Sequence, residues 1–206
     1  MIEVDPTRFK LPPWKHQLKG VKTLLKKDVY GLFWKMRLGK SKVIIDTACL
    51  LFEAGVIDTL LVVAPAQVKD IWIDKSLGEI ATHDWSKAKV KEWRNYGYVT
   101  DFNSIDLPMG KPVYVVSSVE FIRQLGPKNN FPYVDSLLAC LNGRRVWLVF
   151  DEASVLGNYK TANTKAVIAL RNGEPIKKVT LLDGTPRGNS IMSLYSKFKV
   201  LDPKIL

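Results

Sequence analysis

A chain of 206 residues with 47% hydrophobic content suits one domain, 1–206, with a full core, and its most apolar run, Leu60 to Ala66, is far too short to span a bilayer. Its 31 Lys and Arg against 20 Asp and Glu give a net charge of +11, the footprint expected for a polyanionic partner, with a soluble basic protein as the plainer alternative. Cys49 and Cys140 lie in apolar stretches and read as buried small hydrophobes, His16 and His83 are too few for a zinc constellation, and no signal segment opens the chain, so the expectation is an intracellular protein, cytoplasmic or in the nucleoid or nucleus.

The first expected element is a helix over 14–26, inside a lysine-rich stretch from Lys10 to Lys27; His16 within it reads as a surface or packing residue. Val29 to Trp34 is a short aromatic and aliphatic strand over 29–34, and a helix over 41–54 follows with Val43, Ile44, Thr47, Ala48, Leu51 and Phe52 near helical spacing. Between them lies Met36-Arg-Leu-Gly-Lys-Ser41. A glycine lets backbone N–H groups turn in towards phosphate oxygens, a lysine reaches the β and γ phosphates, and a hydroxyl ligates Mg²⁺; Gly39, Lys40 and Ser41 fill those places. The helix that follows adds free N–H groups and the positive end of its dipole. The full phosphate-loop pattern also asks for a glycine where this chain has Trp34, and a surface Gly-Lys-Ser turn is the alternative that the flanks argue against.

Further along, strands are expected over 59–64, 89–93 and 113–117, helices over 67–76, 118–124 and 133–141, and loops over 98–111 and 126–132. Lys87, Lys89, Lys91 and Arg94 interleave with Trp85, Trp93 and Tyr96, a mixture that can contact phosphates and stack on bases. The alternation of Val90-Lys-Glu-Trp93 suits a half-buried strand, which assigns Trp93 to the core. The strand over 146–150 is uninterruptedly apolar and ends in Asp151 and Glu152, as a parallel strand buried on both faces would carry its functional groups. Asp151 is placed to hold Mg²⁺ and Glu152 to orient or deprotonate an attacking water; a solvated acidic pair at a strand end is the alternative. A helix over 161–171, a strand over 179–183 running into Gly184-Thr-Pro186 and a helix over 190–199 complete an α/β order with a mostly parallel sheet and helices on both faces.

The ordered set Leu11-Pro-Pro-Trp-Lys-His-Gln17, Met36 to Ser41, Leu60 to Pro65 with Trp72, Val115 to Ser118, Asp151-Glu-Ala-Ser154 and Leu182 to Pro186 resembles the first RecA-like lobe of superfamily-two helicases. Within them it is most similar to the Swi/Snf-type double-stranded DNA translocases, over about Leu11 to Pro203. The resemblance implies a single RecA-like P-loop domain that binds ATP and Mg²⁺. Gln17 would recognise the adenine edge, and Met36, Arg37, Leu38, Gly39, Lys40 and Ser41 would form the nucleotide loop. Lys40, Asp151 and Glu152 would be catalytic, with Ser41 and Asp151 on the metal. Gly184 and Thr185 would couple nucleotide state to movement, and Ala64 to Gln67 (Ala66 and Gln67 above all) with Ser117 and Ser118 would touch the DNA backbone.

Four departures stand out against that pattern: Trp34 and Arg37 where the family more often has acidic and glycine residues, Asp183 for a threonine, and Ser154 for a histidine. Family members also complete the ATP site with a second RecA-like lobe that supplies an arginine finger, whereas this sequence stops at Leu206. Weak or negligible hydrolysis by the chain alone is therefore expected, since losing such a finger lowers turnover on the order of a thousand-fold. Two other functions fit parts of the pattern. A P-loop phosphotransferase leaves Gln17 and the Gly-Thr-Pro turn unexplained, and a non-catalytic DNA-binding or regulatory protein that kept the lobe is favoured by Trp34, Arg37 and the missing lobe.

Overall fold

In the computed structural model of the chain, residues 2–93, 107–108, 110–185 and 191–204 are described. Arg94 and Tyr96, most of the expected 98–111 loop, and residues 186–190 lie outside them. Within the described residues six strands form one sheet: β1 (Val29–Phe33), β2 (Thr59–Ala64), β3 (Lys89–Trp93), β4 (Val113–Ser118), β5 (Val146–Phe150) and β6 (Ile176–Asp183). Their order is β1-β6-β5-β2-β4-β3, and every pairing is parallel, where a mostly parallel sheet was expected.

Among the described residues eight α-helices cover it: α1 (Lys15–Leu24), α2 (Lys40–Glu53), α3 (Ala66–Ile73), α4 (Glu79–His83), α5 (Val119–Ile122), α6 (Pro132–Cys140), α7 (Ala162–Arg171) and α8 (Ile191–Leu201). Successive side chains of a strand point to opposite faces, and the sheet sorts its apolar residues accordingly. Leu61, Val63, Val115, Leu148, Phe150 and Leu181 pack with α5, α6, α7 and α8, while Leu60, Val62, Tyr114, Trp147, Val149 and Leu182 pack with α1, α2, α3 and α4. β2 and β5 are buried at every residue. The edge strands β1 and β3 are partly exposed, and Trp93 of β3 is buried in the core as its alternation implies.

Three details differ from expectation. α3 ends at Ile73, short of residue 76, because Asp74 turns out of the helix and its Oδ1 accepts from the N–H groups of Ser76 (2.9 Å) and Leu77 (2.7 Å). β6 begins at Ile176 because Lys178, which breaks the apolar run, is buried; its Nζ donates to the carbonyls of Leu24 (2.6 Å) and Lys27 and lies 5.4 Å from the centre of the Trp147 ring. Cys49 is buried, with its thiol pushed up to about 12 by burial and then by Asp84, but Cys140 is partly exposed rather than buried.

At the carboxyl end of β6, Asp183 and Lys197 of α8 are both fully buried, with Nζ 2.6 Å from Oδ2. Asp183 Oδ1 accepts from the Thr185 N–H at 2.8 Å. A buried carboxylate that loses its cation keeps its desolvation cost. Lys197→Met is thus expected to destabilise the fold by about 3–5 kcal/mol, with Lys197→Met/Asp183→Leu recovering most of it; denaturant unfolding of the three proteins measures both effects.

Candidate nucleotide-binding cleft

The sheet order sets the loops after β1, β6 and β5 side by side at the carboxyl edge. The loop from β1 to α2 carries Met36 to Ser41, that after β6 carries Gly184 and Thr185, and that after β5 carries Asp151 and Glu152. A cleft of about 480 Å³ opens there, within the 300–1,000 Å³ usual for ligand sites. Gln17, Met36, Arg37, Gly39, Lys40, Ser41, Asp151 and Glu152 line it, together with Trp14, Trp72 and, from α4, Glu79 and His83.

The Met36 to Ser41 loop is held from α1. The Leu38 carbonyl accepts from Gln17 Nε2 at 3.2 Å and from His16 Nε2 at 3.0 Å, and Gln17 Oε1 accepts from the Trp14 N–H at 2.9 Å. Gly39 caps α2 at φ 76°, a backbone that favours glycine, and a Cβ there would stand 2.3 Å from Gln17 Nε2 and displace that amide from the Leu38 carbonyl. His16 is a loop anchor as well as a packing residue, wedged between Trp14 and Trp34 with ring centres 5.7 and 5.1 Å away. Trp34, where the phosphate-loop pattern asks for glycine, lays its indole against Gly20 of α1, at which a Cβ would come within 2.8 Å of it.

Lys40 Nζ donates to the carbonyls of Trp34 (3.0 Å) and Lys35 (3.4 Å) at the start of the loop. Ser41 is in the first turn of α2, partly exposed to the cleft. Behind them Lys42 pairs with Asp46 one turn on, and on the far wall His83 Nε2 is 3.4 Å from Glu79 Oε2. The short helix carrying Glu79 and His83 escapes periodicity analysis because five residues hold little more than one turn.

Asp151 is buried to 7% exposure, and its two oxygens accept from the Trp72 indole N–H and the Glu152 N–H, each at 2.9 Å. Burial holds its carboxyl above the ordinary carboxylate range, the two hydrogen bonds and the Lys40 charge pulling the other way. Glu152 has φ 51°, a left-handed conformation rare outside glycine. Trp72 is the functional residue that motif order alone leaves without a role; the sign of one is a single indole a few residues past the β2 strand end.

The remaining expected site residues divide. Gly184 adjoins the Met36 to Ser41 loop, since a Cβ on it would lie 3.3 Å from Met36 Cγ, and Thr185 follows it at the surface. Ala66 and Gln67 are exposed at the start of α3, but the Ala66 N–H donates to Glu120 Oε2 at 2.9 Å. Ser118 caps α5, accepting from the Phe121 N–H at 3.2 Å. Ser117 is fully buried and donates to the Trp93 carbonyl at 3.0 Å, so its side chain offers no surface to DNA.

Two measurements follow from this geometry. Arg37 is exposed at φ 63°, so Arg37→Gly should stabilise the fold by about 0.5–1 kcal/mol, the relief of left-handed strain less the added freedom of the unfolded chain; denaturant midpoints of the two proteins check it. Because the folded chain holds the Asp151 proton more tightly than the unfolded chain, the stability this group contributes is full below about pH 4 and is lost as pH rises through the elevated folded value. In metal- and nucleotide-free buffer, the unfolding free energy of Asp151→Asn relative to wild type should therefore shift in the variant's favour as pH rises from about 4 to 7. A pH-independent difference would contradict that assignment.

No family model and no curated protein matches this chain. Its fold is similar to solved structures of the Sulfolobus solfataricus SWI2/SNF2 ATPase core, in complex with dsDNA and as the core domain, each with TM-score 0.69 and 19% identity. Those alignments cover 98% and 97% of this chain but 38% and 37% of the others. The UvsW helicase from bacteriophage T4 is similar at TM-score 0.58 and 16% identity, over 90% of this chain and 57% of that one. The chain thus spans less than two thirds of each, and what it shares with them is the fold of a RecA-like helicase lobe.

Proposed function

We propose that the chain is the ATP-binding lobe of a DNA-dependent ATPase of Swi/Snf type, needing a second RecA-like lobe, in the same polypeptide or another, for efficient hydrolysis and movement on duplex DNA. The observation that carries this reading is the convergence of Gly39, Lys40 and Ser41 with Asp151 and Glu152 on one cleft, from segments more than a hundred residues apart in the sequence. The donor set fits the group it would hold. Glycine in a left-handed cap, an ammonium bonded to loop carbonyls, a hydroxyl and a buried carboxylate suit a triphosphate with Mg²⁺, which would supply charge neutralisation at the phosphates.

In this reading Lys40, now bonded to the Trp34 and Lys35 carbonyls, would turn to phosphate oxygens, and Ser41 and Asp151 would hold the metal. Glu152 would orient or deprotonate water, and Gln17 braces the loop with its amide held between the Trp14 N–H and the Leu38 carbonyl, so recognition of adenine would require it to exchange one of these bonds. Gly184 and Thr185, beside Met36, would pass the state of the loop to the β6 end and the buried Asp183–Lys197 pair. Ala66, Gln67 and Ser118, on the neighbouring loops after β2 and β4, are the candidates for DNA contact, and the similarity to a core solved with dsDNA favours duplex. A second reading, a non-catalytic DNA-binding or regulatory lobe, draws on Arg37, whose strained place in the loop is one a glycine would fill.

Calorimetric titration separates the two. Wild type should bind Mg²⁺-ATP and Lys40→Ala should lose at least tenfold in affinity, with hydrolysis by either protein well below one turnover per second without a second lobe. Absence of ATP binding in the wild-type chain up to millimolar nucleotide would favour the non-catalytic reading.

A further inference from the structure

Away from the cleft, the solvent face of α1 is a ridge of lysines. Lys15, Lys19 and Lys22 stand on it at spacings of four and three, and Lys26 and Lys27 continue past its end. All five are exposed and, with Leu18 and Thr23, line one shallow groove of about 400 Å³. From Lys10 to Lys27 the sequence has no Asp or Glu, and among the described residues no carboxylate lies within ion-pair distance of the five.

Such an arrangement works against the helix that carries it. Like charges three and four residues apart repel, and Lys15 sits at the positive end of the helix dipole. Some cations elsewhere are paired, Arg8 with Glu53, Lys69 with Glu92, Arg145 with Asp58 and Lys197 with Asp183, while others such as Lys75, Lys128, Lys160 and Lys165 stand singly rather than in a row. A bilayer is a poor occupant for the ridge, because the inner side of α1, with Val21 and Leu24, is buried in the core, and the apolar groups left near it, Leu11, Trp14 and the partly exposed Leu18, do not form a continuous helical face that could enter lipid. A line of phosphates is complementary. The three helical lysines span about 10 Å at 1.5 Å per residue, and each strand of duplex DNA carries a charge about every 3.4 Å of axis, so a run of phosphates along one strand is long and dense enough to meet all three.

We propose that the α1 ridge is a second contact for the backbone of duplex DNA, distinct from the loops after β2 and β4. Lys178 of β6 ties the end of α1 to the β1–β6 side of the sheet, whereas β2 and β4 lie beyond β5. This proposal rests on the reading of a DNA-acting lobe for its choice of nucleic acid but not on nucleotide binding, so the two can fail separately.

The test is fluorescence anisotropy of a labelled short duplex, without nucleotide, over a series of salt concentrations. Wild type is compared with Lys15→Gln/Lys19→Gln/Lys22→Gln/Lys26→Gln and with a charge-matched control, Lys75→Gln/Lys128→Gln/Lys160→Gln/Lys165→Gln. The ridge variant should weaken binding at least tenfold and reduce the slope of log K against log salt by about 2–4, the control by less than one. Unchanged slope in the ridge variant, an equal loss in the control, or a wild-type chain that binds Mg²⁺-ATP but no duplex would each overturn the ridge assignment, the last leaving the nucleotide site standing. So would ridge-dependent sedimentation with phosphatidylserine vesicles alongside ridge-independent duplex binding. If the quadruple variant does not fold, Lys19→Gln and Lys22→Gln singly should each lower the slope by about 0.9, and no change in either overturns the proposal.

Discussion

A parallel sheet covered by helices on both faces has to keep polar groups out of its middle, and that constraint organises the molecule. β2 and β5 are buried along their whole length, so the first places where Asp151, Ser118 or Ala66 can meet solvent or a partner lie at the carboxyl ends of the strands. With β6 between β1 and β5, the loops bearing Lys40, Gly184 and Asp151 become neighbours without any of the three segments touching in sequence. The cleft is a consequence of strand order before it is a consequence of any side chain.

Within the cleft, order comes from groups that brace other groups. The Leu38 carbonyl is gripped by two side chains of α1, the Asp151 carboxylate by an indole from α3, and the Lys40 ammonium by carbonyls of its own loop. Each of these bonds satisfies a polar atom that would otherwise be costly at partial or full burial. Strain is present here too: Arg37 and Glu152 are two of the four non-glycine residues with left-handed backbones among the described residues, Lys87 and Asn129 lying elsewhere. A site held by borrowed hydrogen bonds can exchange them for those of a ligand.

Two of the four departures from the helicase pattern acquire physical reasons. Trp34 is accommodated because α1 offers Gly20 beneath its indole, and Asp183 because α8 brings Lys197 to it in the core. Neither substitution can be judged alone, since each is one half of a contact between elements distant in the chain.

By itself the sequence determined the strands and longer helices whose periodicity is strong, as in Val146 to Phe150 and Lys40 to Glu53, and it marked Gly39, Lys40, Ser41, Asp151 and Glu152 through residue types that only a few chemistries use together. Local pattern is enough there because burial on both faces writes an unbroken apolar run. It failed where a residue's surroundings come from elsewhere. Lys178 looks like a strand breaker until the carbonyls at the end of α1 receive it, Ser117 looks like a surface hydroxyl until β3 covers it, and α4 is too short to declare itself. Tertiary structure alone decided that Trp72 holds Asp151, that His16 and Gln17 share one carbonyl, and that the α1 lysines line a single groove. The reason is that hydrogen bonding and electrostatics depend on distance in space, which the chain settles only when the sheet order is complete.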